Sequence, residues 1–174
     1  PCNGSRISVS SRIRVGITGV SGYGGRELLR LCVSHPSFEV AYVGGESTAG
    51  QRVDGLDPAL LGRKEGALIV QAFDPGQLGE LDLLFASLPT GGSREPLSRV
   101  PAHVRIVDVG GDHRFVDGWD YGLTELPGAR AAIVGSRRVA NPGCYPAASL
   151  LALAPLVASG LIETTGIVVD AKSG

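Results

Sequence analysis

The stretch from Ile13 to Val33 constrains the fold more than any other part of this chain. An apolar run, Ile13-Arg14-Val15-Gly16-Ile17-Thr18, leads into Gly19-Val20-Ser21-Gly22-Tyr23-Gly24-Gly25, and Leu28, Leu29, Cys32 and Val33 follow at helical spacing. A short buried strand, a tight glycine turn and a helix are predicted in that order. The helix should end near His35-Pro36, because the residue before a proline resists helical dihedrals. The pattern is Gly-x-x-Gly-x-x-Gly rather than the usual dinucleotide Gly-x-Gly-x-x-Gly, but the physics is shared. Glycines permit the turn, let backbone approach a diphosphate, and bring helix close to strand. The helix N-terminus then offers N–H donors to an anion. Gly19, Ser21, Gly22, Tyr23 and Gly24 are therefore candidate nucleotide-binding residues.

Downstream the chain alternates. Phe38 to Val43 reads as a second strand and Leu68 to Val70 as a third. Leu81 to Ala86 and Val104 to Val109 are stronger apolar runs, with a short helix between them over Gly92 to Val100. Strands alternating with helices imply an α/β, Rossmann-like, mostly parallel sheet with helices on both faces and right-handed crossovers. Gly44 to Arg63 and Phe115 to Ala132 read as irregular, the first with at most a short helix. Long irregular segments in such folds tend to be functional.

A cofactor ribose should reach the end of the second strand, where the chain reads Gly44-Gly45-Glu46-Ser47-Thr48-Ala49-Gly50-Gln51-Arg52. Glu46 suits a ribose 2′-hydroxyl and so NAD. Ser47 and Thr48, with Arg52 nearby, suit a 2′-phosphate and so NADP. These local residues leave both open. Leu88-Pro89-Thr90-Gly91-Gly92 follows another strand, and ligands of open parallel sheets bind beyond the carboxyl ends of strands. Pro89, Thr90 and Gly91 are candidate contacts on the nicotinamide side, in a loop that a plain turn before a helix explains equally well.

Cys144 sits in Ala140-Asn141-Pro142-Gly143-Cys144-Tyr145-Pro146, ahead of Leu150, Leu151, Leu153, Leu156 and Val157 at roughly helical spacing. The prediction is strand, tight turn, helix, with the thiol at or just before the helix N-terminus. Unpaired N–H groups there favour thiolate, and a thiolate so placed can attack an acyl carbon. The competing reading of a lone cysteine is a small buried hydrophobe.

Net charge is −1, which gives no reason to expect nucleic acid or an anionic membrane as partner. No apolar stretch approaches the roughly 20 residues of a membrane-spanning helix. The three cysteines, Cys2, Cys32 and Cys144, are scattered, which is neither a disulfide framework nor metal-ligand spacing. A reducing compartment fits, cytoplasmic or organellar. Residues 1–11 are serine-rich and without periodicity, either an added remnant or what processing of a longer precursor leaves. The run Val168-Val169 near the last residue reads as strand-like, and a fragment of a longer protein is expected.

Five stretches carry a family resemblance. They are Gly19 to Leu28, Leu88-Pro89-Thr90-Gly91, Val107-Asp108-Val109-Gly110-Gly111-Asp112-His113-Arg114-Phe115, Tyr121-Gly122-Leu123-Thr124-Glu125-Leu126, and Asn141-Pro142-Gly143-Cys144-Tyr145-Pro146. In this order the chain resembles the N-acetyl-γ-glutamyl-phosphate reductases, the arginine-biosynthesis branch of the semialdehyde dehydrogenase group. The resemblance implies an NAD(P)-binding Rossmann-like domain over residues 12–143 and the beginning of an α+β catalytic and oligomerisation domain over 144–174. It implies an NADP-dependent reduction of an acyl phosphate to a semialdehyde and phosphate, through a thioester on Cys144, in a homo-oligomer when complete. It makes Arg114 and Glu125 candidate substrate-binding residues, with Ser173 and Gly174 at the start of a substrate-contacting loop. Arg114 paired structurally with Asp108 or Asp112, and Glu125 in a structural role, are the alternatives.

The chain departs from its relatives in places. Thr90 stands where many carry histidine, Thr124 replaces a frequent proline, and His113 stands where an aromatic is common. Glu46-Ser47-Thr48 is not strongly basic. None of His35, His103 and His113 lies in a stretch like the family's proton-handling histidine motif. Two other readings remain: an aspartate-semialdehyde dehydrogenase, with the same chemistry on a smaller acyl phosphate, and a module that binds NADP without turning anything over.

Overall fold

The computed structural model describes residues 12–172. Six strands form one wholly parallel sheet in the order β2-β1-β3-β4-β6-β5. They are β1 (Ile13–Thr18), β2 (Phe38–Gly44), β3 (Leu83–Ala86), β4 (Arg105–Asp108), β5 (Asp120–Tyr121) and β6 (Arg138–Ala140). The helices are α1 (Tyr23–Ser34), α2 (Val53–Leu56), α3 (Arg94–Ser98), α4 (Ala129–Gly135) and α5 (Cys144–Ala158). The chain crosses from β2 to the other side of β1 to begin β3, so strand order reverses between β1 and β3. That is where a crevice opens beyond the carboxyl ends of the strands.

Two apolar clusters sandwich the sheet. On one face Val15, Ile17 and Val40 pack with Leu29 and Cys32 of α1. On the other, Leu84, Ala86 and Ile106 pack with Leu97 of α3 and with Leu78, Leu81 and Val100. Ile17, Leu29, Leu84 and Ile106 are almost fully buried, each contributing about 1.5–3 kcal/mol by removal from water. The period-two pattern of the strands and the spacing of Leu29 and Cys32 are what send these residues inward.

The predicted strands at Ile13, Phe38, Leu81 and Val104 and the helix behind the glycine turn are all present. Leu68 to Val70 is not a strand of the sheet. It touches β2 only through the bridge from Gly44 to Gln71, and otherwise runs antiparallel to residues 50–53, with Arg52 opposite Ile69. Its alternation is real, since Val70 is buried and Ile69 exposed, but too few residues pair to extend a ladder. The stretch read as irregular from Phe115 to Ala132 contains β5 and the start of α4. The strand-like run at Val168-Val169 forms no strand among the described residues. The apolar residues of α5 do form a helix, yet none of its residues is buried among the described residues, and Leu150, Leu151, Leu156 and Val157 are all exposed.

Candidate active site

Because every strand is parallel, the turns after β1, β3, β4 and β6 emerge at one edge of the sheet. A cavity of about 340 Å³ opens at the reversal point. Gly19 and Ser21 line one side, Leu88, Pro89 and Gly92 another, and Glu46 and Ser47 a third.

Local constraints shape each wall. Gly19 has φ +83°, and a Cβ there would collide with the Ser87 carbonyl. Gly25 likewise presses on the Gly19 carbonyl, so the helix starts hard against the turn. Gly22 is the N-cap of α1 and no side chain caps the helix. Tyr23 and Gly24 begin α1, where helix geometry leaves N–H groups without intrahelical acceptors. Tyr23 itself is almost fully exposed. The space that only glycine leaves, the uncapped amides and the cavity beside them fit a dinucleotide's diphosphate.

At the end of β2, Ser47 lines the cavity and Thr48 lies behind Gly45. Thr48 Oγ1 is buried without a hydrogen-bond partner, and Ser21 Oγ lies on the same flank of Gly45. Glu46 Oε1 accepts the Phe73 N–H at 2.9 Å. Arg52 makes a two-pronged ion pair with Asp54, at 3.0 and 2.6 Å, and so is engaged elsewhere.

The Pro89–Gly92 loop is held by a residue that sequence reasoning missed. Asp112 Oδ1 accepts the Gly91 N–H at 2.7 Å, and Oδ2 accepts the Ser93 N–H at 3.0 Å and the Ser93 hydroxyl at 2.8 Å. The Gly91 N–H above all, then that of Ser93, holds the Asp112 carboxyl down to about 2. Behind it, buried Asp108 meets His113 Nδ1 at 2.6 Å and accepts the Gly110 N–H at 2.9 Å, and Trp119 stacks on the imidazole at 3.9 Å. A carboxylate directly after a Gly-Gly pair at a strand end was the available signal.

Arg114 pairs with neither Asp108 nor Asp112. Its Nε donates to the Asn141 carbonyl at 3.1 Å, and its guanidinium lies over Gly143, where a Cβ would stand 2.8 Å from Nη1. It therefore braces the turn before Cys144. Cys144 is the first residue of α5, follows N-cap Gly143, and is exposed. It does not line the dinucleotide cavity. The turn after β6 is two strands beyond the one after β3, about 10 Å at the usual strand spacing. Glu125 does not line the dinucleotide cavity either. It accepts from Thr124 Oγ1 at 3.1 Å and lines a separate cavity of about 230 Å³ with Leu151, Ala154 and Ala158 of α5. Ser173 and Gly174 lie outside the described residues.

Among the described residues no helix is long and apolar enough to cross a membrane, and no three His, Cys, Asp or Glu side chains gather as a metal site.

The chain is similar to an N-acetyl-gamma-glutamyl-phosphate reductase of Bradyrhizobium sp. (strain ORS 278), 54% identical over 93% of this chain and 49% of that protein. The protein of the same name from Methylobacterium sp. (strain 4-46) is 57% identical over the same shares. The chain thus spans about half the length of the curated relatives it matches. In fold it is similar to an aspartate semialdehyde dehydrogenase with NADP from Candida albicans, with TM-score 0.66 and 22% identity over 86% of this chain and 48% of that one. Residues 144–174 match the semialdehyde dehydrogenase dimerisation domain. Residues 14–134 match the semialdehyde dehydrogenase NAD-binding domain, and the chain belongs to that family.

Proposed function

We propose that the protein carrying this chain reduces N-acetyl-γ-glutamyl phosphate to N-acetylglutamate semialdehyde and phosphate, with NADPH as reductant. The observation that carries the reading is the placement of an exposed cysteine at a helix start on the same sheet edge as a glycine-walled cavity. The relatives' shared name supports the choice of acyl phosphate.

The diphosphate would rest on the Ser21, Tyr23 and Gly24 amides, with Gly19 and Gly22 giving the backbone room, while the Gly22 N–H donates to the Gly19 carbonyl at 3.1 Å. Ser47 and Thr48 would meet the 2′-phosphate. The orphaned Thr48 Oγ1 beside Ser21 Oγ supports NADP over NAD, as does the engagement of Glu46 with Phe73. Pro89, Thr90 and Gly91 would flank the nicotinamide, which supplies hydride when bound.

The Cys144 sulfur, as thiolate, forms a bond to the acyl carbon, and the carbon–oxygen bond to phosphate breaks, so phosphate leaves with that electron pair. The product of this step is a thioester. Dividing the reduction in this way replaces one hard step by two easier ones. Taking up a hydride at carbon and a proton at oxygen, the thioester would become a thiohemiacetal, which releases the aldehyde and returns the thiol. Arg114 keeps its terminal nitrogens over Gly143, next to the sulfur's residue, where a planar always-charged group suits the departing phosphate or the substrate carboxylate. Glu125 in this reading supports α5 rather than substrate. We assign residues 12–143 to the dinucleotide-binding domain and 144–174 to the start of a catalytic and oligomerisation domain. The uncovered apolar residues of α5 are consistent with that division, since a helix apolar on several sides needs cover.

The test is phosphate-dependent oxidation of N-acetylglutamate semialdehyde, followed as NADPH formation, in the protein with its second domain complete. Faster turnover than with aspartate semialdehyde supports the proposal. Preference for aspartate semialdehyde overturns it in favour of the smaller substrate. NADPH binding without turnover of either would reduce the function to a binding module.

A further inference from the structure

Resting on that reading, we propose that Asp112 is a positioning residue that sets the hydride-donor loop against the nucleophile turn. Three observations meet in one short segment. Asp112 fastens the Pro89–Gly92 loop by both oxygens, through Gly91 N, Ser93 N and Ser93 Oγ. Two residues on, Arg114 fastens the Cys144 turn through the Asn141 carbonyl and its packing over Gly143. Between them, His113 is buried and anchored to Asp108 at the end of β4, so the segment cannot slide along the sheet edge. The loop walls the dinucleotide cavity and the turn carries the thiol. Their separation is therefore fixed by the span from Asp112 to Arg114 rather than by either element alone. Reaction rates fall steeply when reacting atoms are misplaced by even an ångström.

The carboxylate is specific to this task. It accepts two N–H groups and a hydroxyl at once, one from Gly91 in the loop and two from Ser93 immediately after it. An amide at position 112 has the same shape but turns an NH₂ toward the Gly91 or the Ser93 N–H. One of the loop's fastenings is then replaced by a donor facing a donor.

The experiment compares wild type, Asp112→Asn and Ser93→Ala in the protein with its second domain complete. Ser93→Ala removes the hydroxyl fastening, together with the longer 3.3 Å contact to Asp108 Oδ2, and keeps both N–H bonds. Three quantities are read: the NADPH dissociation constant by fluorescence, the rate of Cys144 alkylation by iodoacetamide without cofactor, and the isotope effect on turnover with NADPH deuterated at the transferred position. The expected result for Asp112→Asn is NADPH binding weakened about tenfold, as for the loss of a charged hydrogen bond. Alkylation stays within about twofold of wild type, because Arg114 still braces the turn. The isotope effect rises as hydride transfer becomes limiting, and Ser93→Ala shifts cofactor binding and isotope effect the same way by less. Unchanged binding and isotope effect in a folded Asp112→Asn would overturn the proposal. So would a parallel loss of binding and of Cys144 alkylation, which is what general loosening produces. If wild type binds NADPH but fails to turn over the acyl phosphate, the proposed substrate is wrong, while binding and alkylation still decide the role of Asp112.

Discussion

His113 Nδ1 lies 2.6 Å from Asp108 Oδ2, with both side chains buried and the Trp119 ring stacked on the imidazole at 3.9 Å. Asp108 closes β4, and its other oxygen holds the Gly110 N–H. The pair therefore anchors the turn from which Asp112 and Arg114 project. His113→Phe would keep the stacking but leave Asp108 Oδ2 with only the longer contact to Ser93 Oγ, at 3.3 Å. The expected cost is about 1–3 kcal/mol, the penalty of a buried polar group stripped of its partner. For a chain of this size that is a fall in Tm of roughly 2–4 °C for each kcal/mol. Thermal unfolding followed by Trp119 fluorescence reads it, and an unchanged midpoint would show that the pair contributes nothing to the fold.

The sheet was legible in the sequence wherever a run was long and apolar enough to be buried. Val15 and Ile17, Leu84 and Ala86, and Ile106 all announce themselves by alternation, and they are the residues that form the two clusters. Cys144 at the first position of α5 was readable from Gly143 before it and the leucines after it. What escaped is set by distant partners. The two residues of β5 become a strand only because β6 lies beside them, and Leu68 to Val70 fails to join the sheet because residues 50–53 pair with it first. Asp112 acts on residues about twenty positions earlier. No local pattern encodes that, although the turn after a parallel strand is where such a residue belongs.

Gly19→Ala tests the cavity wall. The added methyl would press on the Ser87 carbonyl from a backbone at φ +83°. Left-handed backbone alone costs an alanine about 1–2 kcal/mol. Relief of the clash would also push the turn away from β3. The expected outcome is a lower unfolding midpoint together with NADPH binding too weak to detect by fluorescence titration. Binding at wild-type strength would mean that the dinucleotide does not use this turn.

The cysteines should separate kinetically. Cys144 is exposed, whereas Cys32 is 3% exposed on the inner face of α1, and burial pushes its thiol up to about 11. At neutral pH Cys32 is both hidden and protonated, and only thiolate reacts. In a Cys2→Ser background, iodoacetamide should label one site fast, and Cys144→Ser should remove that fast phase while leaving NADPH binding intact. Equal labelling rates for Cys32 and Cys144 would contradict the burial of the first and the nucleophilic assignment of the second.

The pH dependence of stability should carry the mark of Asp112. Its carboxyl, ordinarily at 3.8, is held down to about 2 by the Gly91 and Ser93 N–H groups. The folded value lies below the unfolded one, so acid favours the unfolded chain through this group. Its contribution is whole above about pH 4 and drains away as pH falls toward about 2. Asp112→Asn has no proton to take up there. Urea unfolding of both proteins should give a stability difference that is constant from neutral pH down to about 5 and then narrows through that acid window. Because the cause is chiefly hydrogen bonding to backbone, with the Arg94 charge the smallest contributor, added salt should leave the window nearly in place. A difference that stays constant down to the lowest pH at which the protein folds would mean that the carboxylate is not what ties the Pro89–Gly92 loop to the β4 turn.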